Sequence, residues 1–271
     1  MIARIFLGLL LCSFVGCATF TLASDDERES EFSTDGQTQF PAENDPKESP
    51  ATDSPATEPA PRGEVVVLVH GMIRSPLSMK PLADHLESQG YDVFNWGYSS
   101  TCCGIAELGE RLQDDLAEYR KEHSGPVHFV GHSLGNIIIR WTLTKGTPPE
   151  DVGRVVMLAP PNQGSSKADL FAPLLGNIIK PISELQTDAE STARKLPEIE
   201  HAKVGVIAGK YDDKVSVDES HLAEETDHIV VPAFHSFLMF REDVKHQILT
   251  FLETGEFEHR VESSDGNDQN R

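Results

Sequence analysis

The chain has 271 residues and carries 23 Lys and Arg against 44 Asp and Glu, a formal charge of −21 at pH 7. That balance argues against a nucleic-acid binder, which needs a basic face to meet phosphates. Apolar residues make up 38% of the whole, a figure lowered by polar segments at both ends; the middle, roughly 190 residues, is long enough to bury one sizeable core.

Residues 1–23 read as a signal peptide. A single Arg in the first four residues precedes the apolar run IFLGLLLCSFV, about 11 residues where a bilayer-spanning helix needs roughly 20. Two cleavage points compete. Residues 14–17 (FVGC) resemble the lipobox of bacterial lipoproteins, with Phe14 where Leu is usual, and would place a lipid on Cys17; residues 21–23 (TLA) suit an ordinary signal peptidase. The expectation is an exported protein, either anchored to a membrane through lipidated Cys17 or secreted or periplasmic.

In residues 24–62 eleven acids face three bases, and six prolines fall between Pro41 and Pro61. Such a stretch cannot bury enough apolar surface to offset its ordering entropy. It is expected to be a disordered acidic linker, a spacer if Cys17 carries lipid and solubilising disorder otherwise. Residues 254–271 are expected to be a similar acidic tail. No internal repeat is present.

Between them, residues 63–253 alternate apolar runs with helical patterns. Strands are expected at Val65–Val69 and over 91–95, 127–130, 155–158, 204–208 and 229–231; helices over 78–89, 104–122, Leu134–Thr144 and 242–252. The runs are continuously apolar, as in strands covered on both faces. Strands alternating with amphipathic helices call for βαβ crossovers, hence an α/β fold with a mostly parallel sheet of about six strands, whose site lies at the carboxyl ends of the strands.

The most informative segment is VHFVGHSLGN over 127–136. It sets G-x-S-x-G directly between an apolar strand and a helix, the context of a nucleophile elbow. The turn is sharp enough to strain the serine backbone, and Gly131 and Gly135 leave room for the helix to pass close to the strand. Ser133 is the candidate nucleophile. An ordinary glycine-rich turn is the bland alternative.

Here the chain resembles the α/β-hydrolase family, especially its lipases and esterases, whose elbow reads G-H-S-x-G followed by a small residue; Asn136 departs from that by being larger. The resemblance continues upstream, where VVVLV runs into His70-Gly71-Met72 as in the family's HG loop. It implies an oxyanion hole formed by the backbone N–H groups of Met72 and Leu134. It also implies an acid and then a histidine after the serine. In the loop GKYDDKV after the strand at 204–208, Asp212 has the family's spacing to Val215, with Asp213 as the neighbouring alternative, and His235 follows the strand at 229–231. The implied chemistry is acyl transfer by a Ser133–Asp212–His235 triad, without cofactor.

The other histidines are expected on surfaces or in structural roles, His132 packing inside the elbow. No HExxH pair and no Cys/His array with metal spacing occurs, so no metal is expected. The stretch PPNQGS after the strand at 155–158 resembles a loop of many lipases. It opens an insertion over 164–200 with apolar residues at helical spacing, read either as a cap lining an acyl-chain site or as a helix packed on the core. Cys102 and Cys103 are expected to be reduced or vicinally bridged, with no redox role. The expected substrate is a small-molecule or lipid ester. A noncatalytic binding module of this fold, and an acyltransferase or amidase on the same triad, stay open.

Overall fold

The computed structural model describes residues 60–259. The signal peptide with Cys17, the linker as far as residue 59 and the tail from residue 260 lie outside the described residues. Six strands form one sheet in the order β2-β1-β3-β4-β5-β6, and each described pairing is parallel. They are β1 (Val65–Val69), β2 (Asp92–Trp96), β3 (Val127–His132), β4 (Val152–Leu158), β5 (Lys203–Gly209) and β6 (Asp227–Val231). The helices are α1 (Lys80–Glu87), α2 (Ile105–Tyr119), α3 (Leu134–Thr144), α4 (Ser166–Leu175), α5 (Lys180–Glu184), α6 (Thr192–Lys195), α7 (Val217–Ser220) and α8 (Glu242–Thr254), with 3-10 turns at Pro76–Ser78 and His235–Phe240.

Strand composition follows strand position. Central β1 and β3 are buried along their whole length, while edge strands β2 and β6 are partly exposed. Because side chains alternate across a strand, Val65, Val67 and Val69 face the layer made by α2, α3 and the insertion, whereas Val66 and Leu68 face α1 and α8. Each face thus has its own core, and that is why the strand patterns are continuously apolar.

The insertion is neither one helix nor a simple packed one. Gly176 ends α4, and α5 follows after a short turn. Leu175, Ile179 and Ile182 are buried on the core, while Leu170, Leu174 and Ile178 remain mostly exposed. Arg140 of α3 fastens the far end of the insertion: its buried guanidinium donates to the carbonyls of Ala193 and Leu196 at 3.1 and 2.8 Å and to Asn162 Oδ1 at 3.2 Å.

Packing runs past both expected boundaries. Arg62 donates to Glu253 at 2.6 Å and to the Gln89 carbonyl at 2.7 Å. After α8, Gly255 turns the chain in the left-handed conformation, φ 82°, as at many helix ends. Phe257 is then buried against Phe251, their ring centroids 4.7 Å apart, and its N–H donates to Asp227 at 2.8 Å. Among the described residues no helix is long and apolar enough to cross a membrane. Phe257→Ala is expected to cost about 3 kcal/mol in a urea titration, as for an aromatic removed from a core; a cost below roughly 0.5 kcal/mol, the range of surface substitutions, would mean that these residues form a loose tail.

Candidate active site

Each residue picked from the sequence lies at the carboxyl edge of the sheet, and strand order decides which of them meet. β1 and β3 are neighbours with Val69 opposite Gly131. The loop His70-Gly71-Met72 and the turn His132-Ser133-Leu134 therefore leave the sheet side by side. β5 and β6 are neighbours with Gly209 opposite Val231, which brings the loop of Asp212 to that of His235. The sheet grows from β1 in both directions, to β2 on one side and β3 on the other, and such a reversal opens a crevice at the carboxyl ends.

Ser133 sits at φ 53°, ψ −122°, a conformation that costs a non-glycine residue of order 1–3 kcal/mol unless its surroundings enforce it. They do so from β4: the Leu158 carbonyl accepts both Ser133 N–H and Asn136 Nδ2 at 2.9 Å. Asn136, larger than the residue usual there in the family, is thus the tie between the elbow helix and the neighbouring strand. A Cβ on Gly131 would lie 2.3 Å from Asn136 Oδ1, and one on Gly135 would lie 2.2 Å from the Val69 carbonyl oxygen. Only glycine permits both approaches.

His235 donates from Nδ1 to Asp212 Oδ2 at 2.7 Å. The other carboxylate oxygen of Asp212 accepts the backbone N–H groups of Lys214 and Val215 at 2.8 and 2.9 Å, and the side chain has no exposed surface. Asp213 instead pairs with the Lys214 ammonium and is 61% exposed. With Nδ1–H engaged, Nε2 of His235 carries the lone pair. Ser133, His235 and Met72 line one cavity, walled on the insertion side by Ala168, Ile182 and Leu185.

The candidate oxyanion loop is fastened on both sides of Met72. The His70 carbonyl accepts the Tyr98 hydroxyl at 2.6 Å, and the His70 ring stacks on Tyr98 at 4.2 Å, itself stacked on Trp96 at 4.4 Å. Beyond Met72, Ile73 adopts φ 54° and donates its N–H to Ser100 Oγ at 2.8 Å. The Met72 N–H finds no acceptor among the described residues, and that of Leu134 opens α3, where the first amides have no partner within the helix. Close to Ser100, Cys102 and Cys103 form a vicinal disulfide, which resolves the two states the sequence left open.

Burial acts on the surrounding imidazoles. His132 is displaced well below its ordinary 6.5, first by desolvation and then by His235; its Nε2–H donates to the His235 carbonyl at 2.9 Å. Desolvation likewise lowers His70 and His128 and raises the Tyr98 phenol strongly. The sequence reading assigned His132 to packing; its bond to the histidine loop, like the roles of Asn136 and Ser100, depends on contacts between distant loops. Away from the cavity, His221, Glu225 and His228 bring their ligand atoms within 4.8 Å of one another, a cluster the sequence reading missed. Both rings there bond one oxygen of Glu225 through Nδ1, at 2.6 and 2.9 Å.

Residues 61–158, from the entry into the sheet to the end of β4, match the family described as "Putative serine esterase (DUF676)". No curated protein matches the chain in sequence. Among solved structures, the mature lipase BlEst2 of Bacillus licheniformis is similar at TM-score 0.56 and 19% identity, over 75% of this chain and 94% of that one. The esterase Pf2001 of Pyrococcus furiosus is similar at 0.53 and 19%, over 70% and 83%. The chain has the α/β-hydrolase fold of these structures, and the stretch that bears the elbow carries the serine esterase match.

The depressed imidazoles have a consequence for stability. Below about pH 6.5 the unfolded chain takes up protons that buried His132 refuses, so this contribution to stability is whole above that pH and is lost as pH falls. The urea midpoint is expected to drop between pH 7.5 and pH 5, and to drop less in His132→Phe. An equally steep decline in the variant would show that His132 is not held neutral.

Proposed function

We propose that this chain hydrolyses carboxylic esters, among them lipid or other acyl esters, through an acyl-enzyme intermediate on Ser133. The observation that carries the reading is the convergence of a serine at positive φ and a carboxylate-bonded imidazole on one cavity. The serine esterase match over residues 61–158 supports it independently.

The chemistry follows from the geometry. His235 Nε2 takes the Ser133 hydroxyl proton as Oγ attacks the ester carbonyl carbon, and the carbonyl π electrons move to oxygen. The N–H groups of Met72 and Leu134 meet that oxyanion; such donors contribute more as charge develops than in the ground state. The imidazolium returns its proton to the leaving alkoxide, and the C–O bond breaks to leave the Ser133 ester. Water, deprotonated by His235, then attacks this ester and releases the acid and the free serine. Asp212, with both oxygens occupied by N–H donors, orients the ring and stabilises its cation. The apolar wall from the insertion suits an acyl chain.

On this reading the protein works outside the cytoplasm, either held at a membrane by a lipid on Cys17 or secreted or periplasmic. The support is the short apolar run ending in FVGC and the acidic, proline-rich stretch behind it.

Full-length wild type and variants assayed on 4-nitrophenyl esters of increasing acyl length provide the test. Ser133→Ala is expected to lower kcat by at least about 10³-fold, and Asp212→Asn by about 10⁴-fold, the scale seen when a triad aspartate is neutralised. A fluorophosphonate probe should label wild type and not Ser133→Ala. Wild-type turnover that survives in Ser133→Ala, or absent labelling, would sink the serine mechanism.

A further inference from the structure

The chain is strongly acidic, yet the cavity above Ser133 is lined by three cations, Arg74, Lys167 and Lys214, and by no Asp or Glu. Lys214 is engaged by Asp213. The other two lack a carboxylate, and Arg74 alone among the described arginines has no hydrogen bond or ion pair, for Arg140, Arg154 and Arg194 donate to backbone carbonyls instead. Arg62, Arg111, Arg120 and Arg241 each meet a carboxylate at 2.6 to 2.9 Å, whereas Arg74 and Lys167 have no acidic partner among the described residues.

Arg74 is the more telling of the two. It is half-buried, two residues beyond Met72, and near enough to His132 for its charge to act on that ring. Burial lowers its pKa with no carboxylate raising it again. A desolvated cation without a partner is unfavourable, and on a chain with 44 acids a partner would have been easy to supply. A guanidinium fork in that position fits the two oxygens of a carboxylate or phosphate. Lys167, exposed at the first turn of α4 on the insertion side, adds a second mobile donor to the same space.

We propose that Arg74, assisted by Lys167, forms a subsite for an anionic group carried by the substrate, so that the preferred esters bear a carboxylate or phosphate near the scissile bond. The proposal rests on ester hydrolysis at Ser133 and adds its specificity. A free alkyl ester leaves Arg74 unpaired in the complex, while an anionic ester replaces its lost hydration with charge-assisted hydrogen bonds.

The test compares the full-length protein on mono-4-nitrophenyl glutarate and on neutral 4-nitrophenyl pentanoate. A second arm sets dioctanoyl phosphatidic acid against dioctanoylglycerol, to tell an anion on the acyl side from one in a lipid headgroup. Wild type is expected to favour the anionic member of at least one pair, with the preference shrinking as salt rises. Arg74→Gln should lose about ten-fold more in kcat/KM on the anionic ester than on its neutral partner, chiefly through KM, and Arg74→Lys should recover part of the loss. Lys121→Gln removes the same charge from an exposed site outside the cavity and should keep the preference.

Equal losses on both esters would overturn the proposal and assign Arg74 to the oxyanion or to loop packing. The absence of any anionic preference in wild type would overturn it too. Fluorophosphonate labelling separates this failure from failure of the serine mechanism: labelled Ser133 without a charge preference removes only the subsite, and unlabelled Ser133 without turnover removes both. If Ser133 is labelled but no ester turns over, inorganic phosphate should slow labelling of wild type and not of Arg74→Gln, and equal rates would reject the subsite.

Discussion

The constraint on which the site depends is the close passage of α3 over the end of β1. A helix that begins immediately after a strand must reverse direction within one residue, and Ser133 takes up that reversal with a positive φ. The reversal is tolerable only because Gly135 lets the helix approach the Val69 carbonyl and because Leu158 accepts two hydrogen bonds from the turn. From this contact follows the neighbourhood of the Met72 loop and the elbow. The histidine loop is bound to the same centre through the hydrogen bond from His132 to the His235 carbonyl. Strain at one residue is therefore carried by three strands and two loops.

Charge is distributed to the same end. Asp212 is the acid committed to the centre; its oxygens accept two backbone amides and an imidazole, and its side chain has no exposed surface. Desolvation lowers the pKa of the nearby His70 and His132 imidazoles. The cavity is lined by apolar, neutral polar and cationic residues with no carboxylate, the reverse of the acid-rich remainder of the chain.

Much of this was legible in the sequence, for identifiable reasons. Both faces of the sheet are covered, so central strands such as VVVLV stand out as unbroken apolar runs, and the elbow declares itself because strand, glycine-flanked serine and helix are contiguous. Strand starts were placed less well where the first residues are exposed or only partly buried: β4 begins three residues earlier than expected, at Val152, β6 two earlier, at Asp227, and β2 is displaced by one. The choice between Asp212 and Asp213 rested on spacing; the hydrogen bonds that separate them come from amides within the same loop. What the sequence could not carry were pairings across long separations. Arg140 with residues 193–196, Ile73 with Ser100 and Phe257 with Phe251 and Asp227 leave no periodic trace. The break of the insertion at Gly176 was hidden by apolar spacing that continues through it.

The ion pair between Arg62 and Glu253 brings the first and last turns of the packed chain together, at the end of the sheet where the strands begin. The cavity lies at the other end. The polypeptide is thus nearly a closed ring with its seam opposite the chemistry. A short connector across that seam, with new ends opened in a surface loop, would yield a circularly permuted protein whose site loops keep their strands.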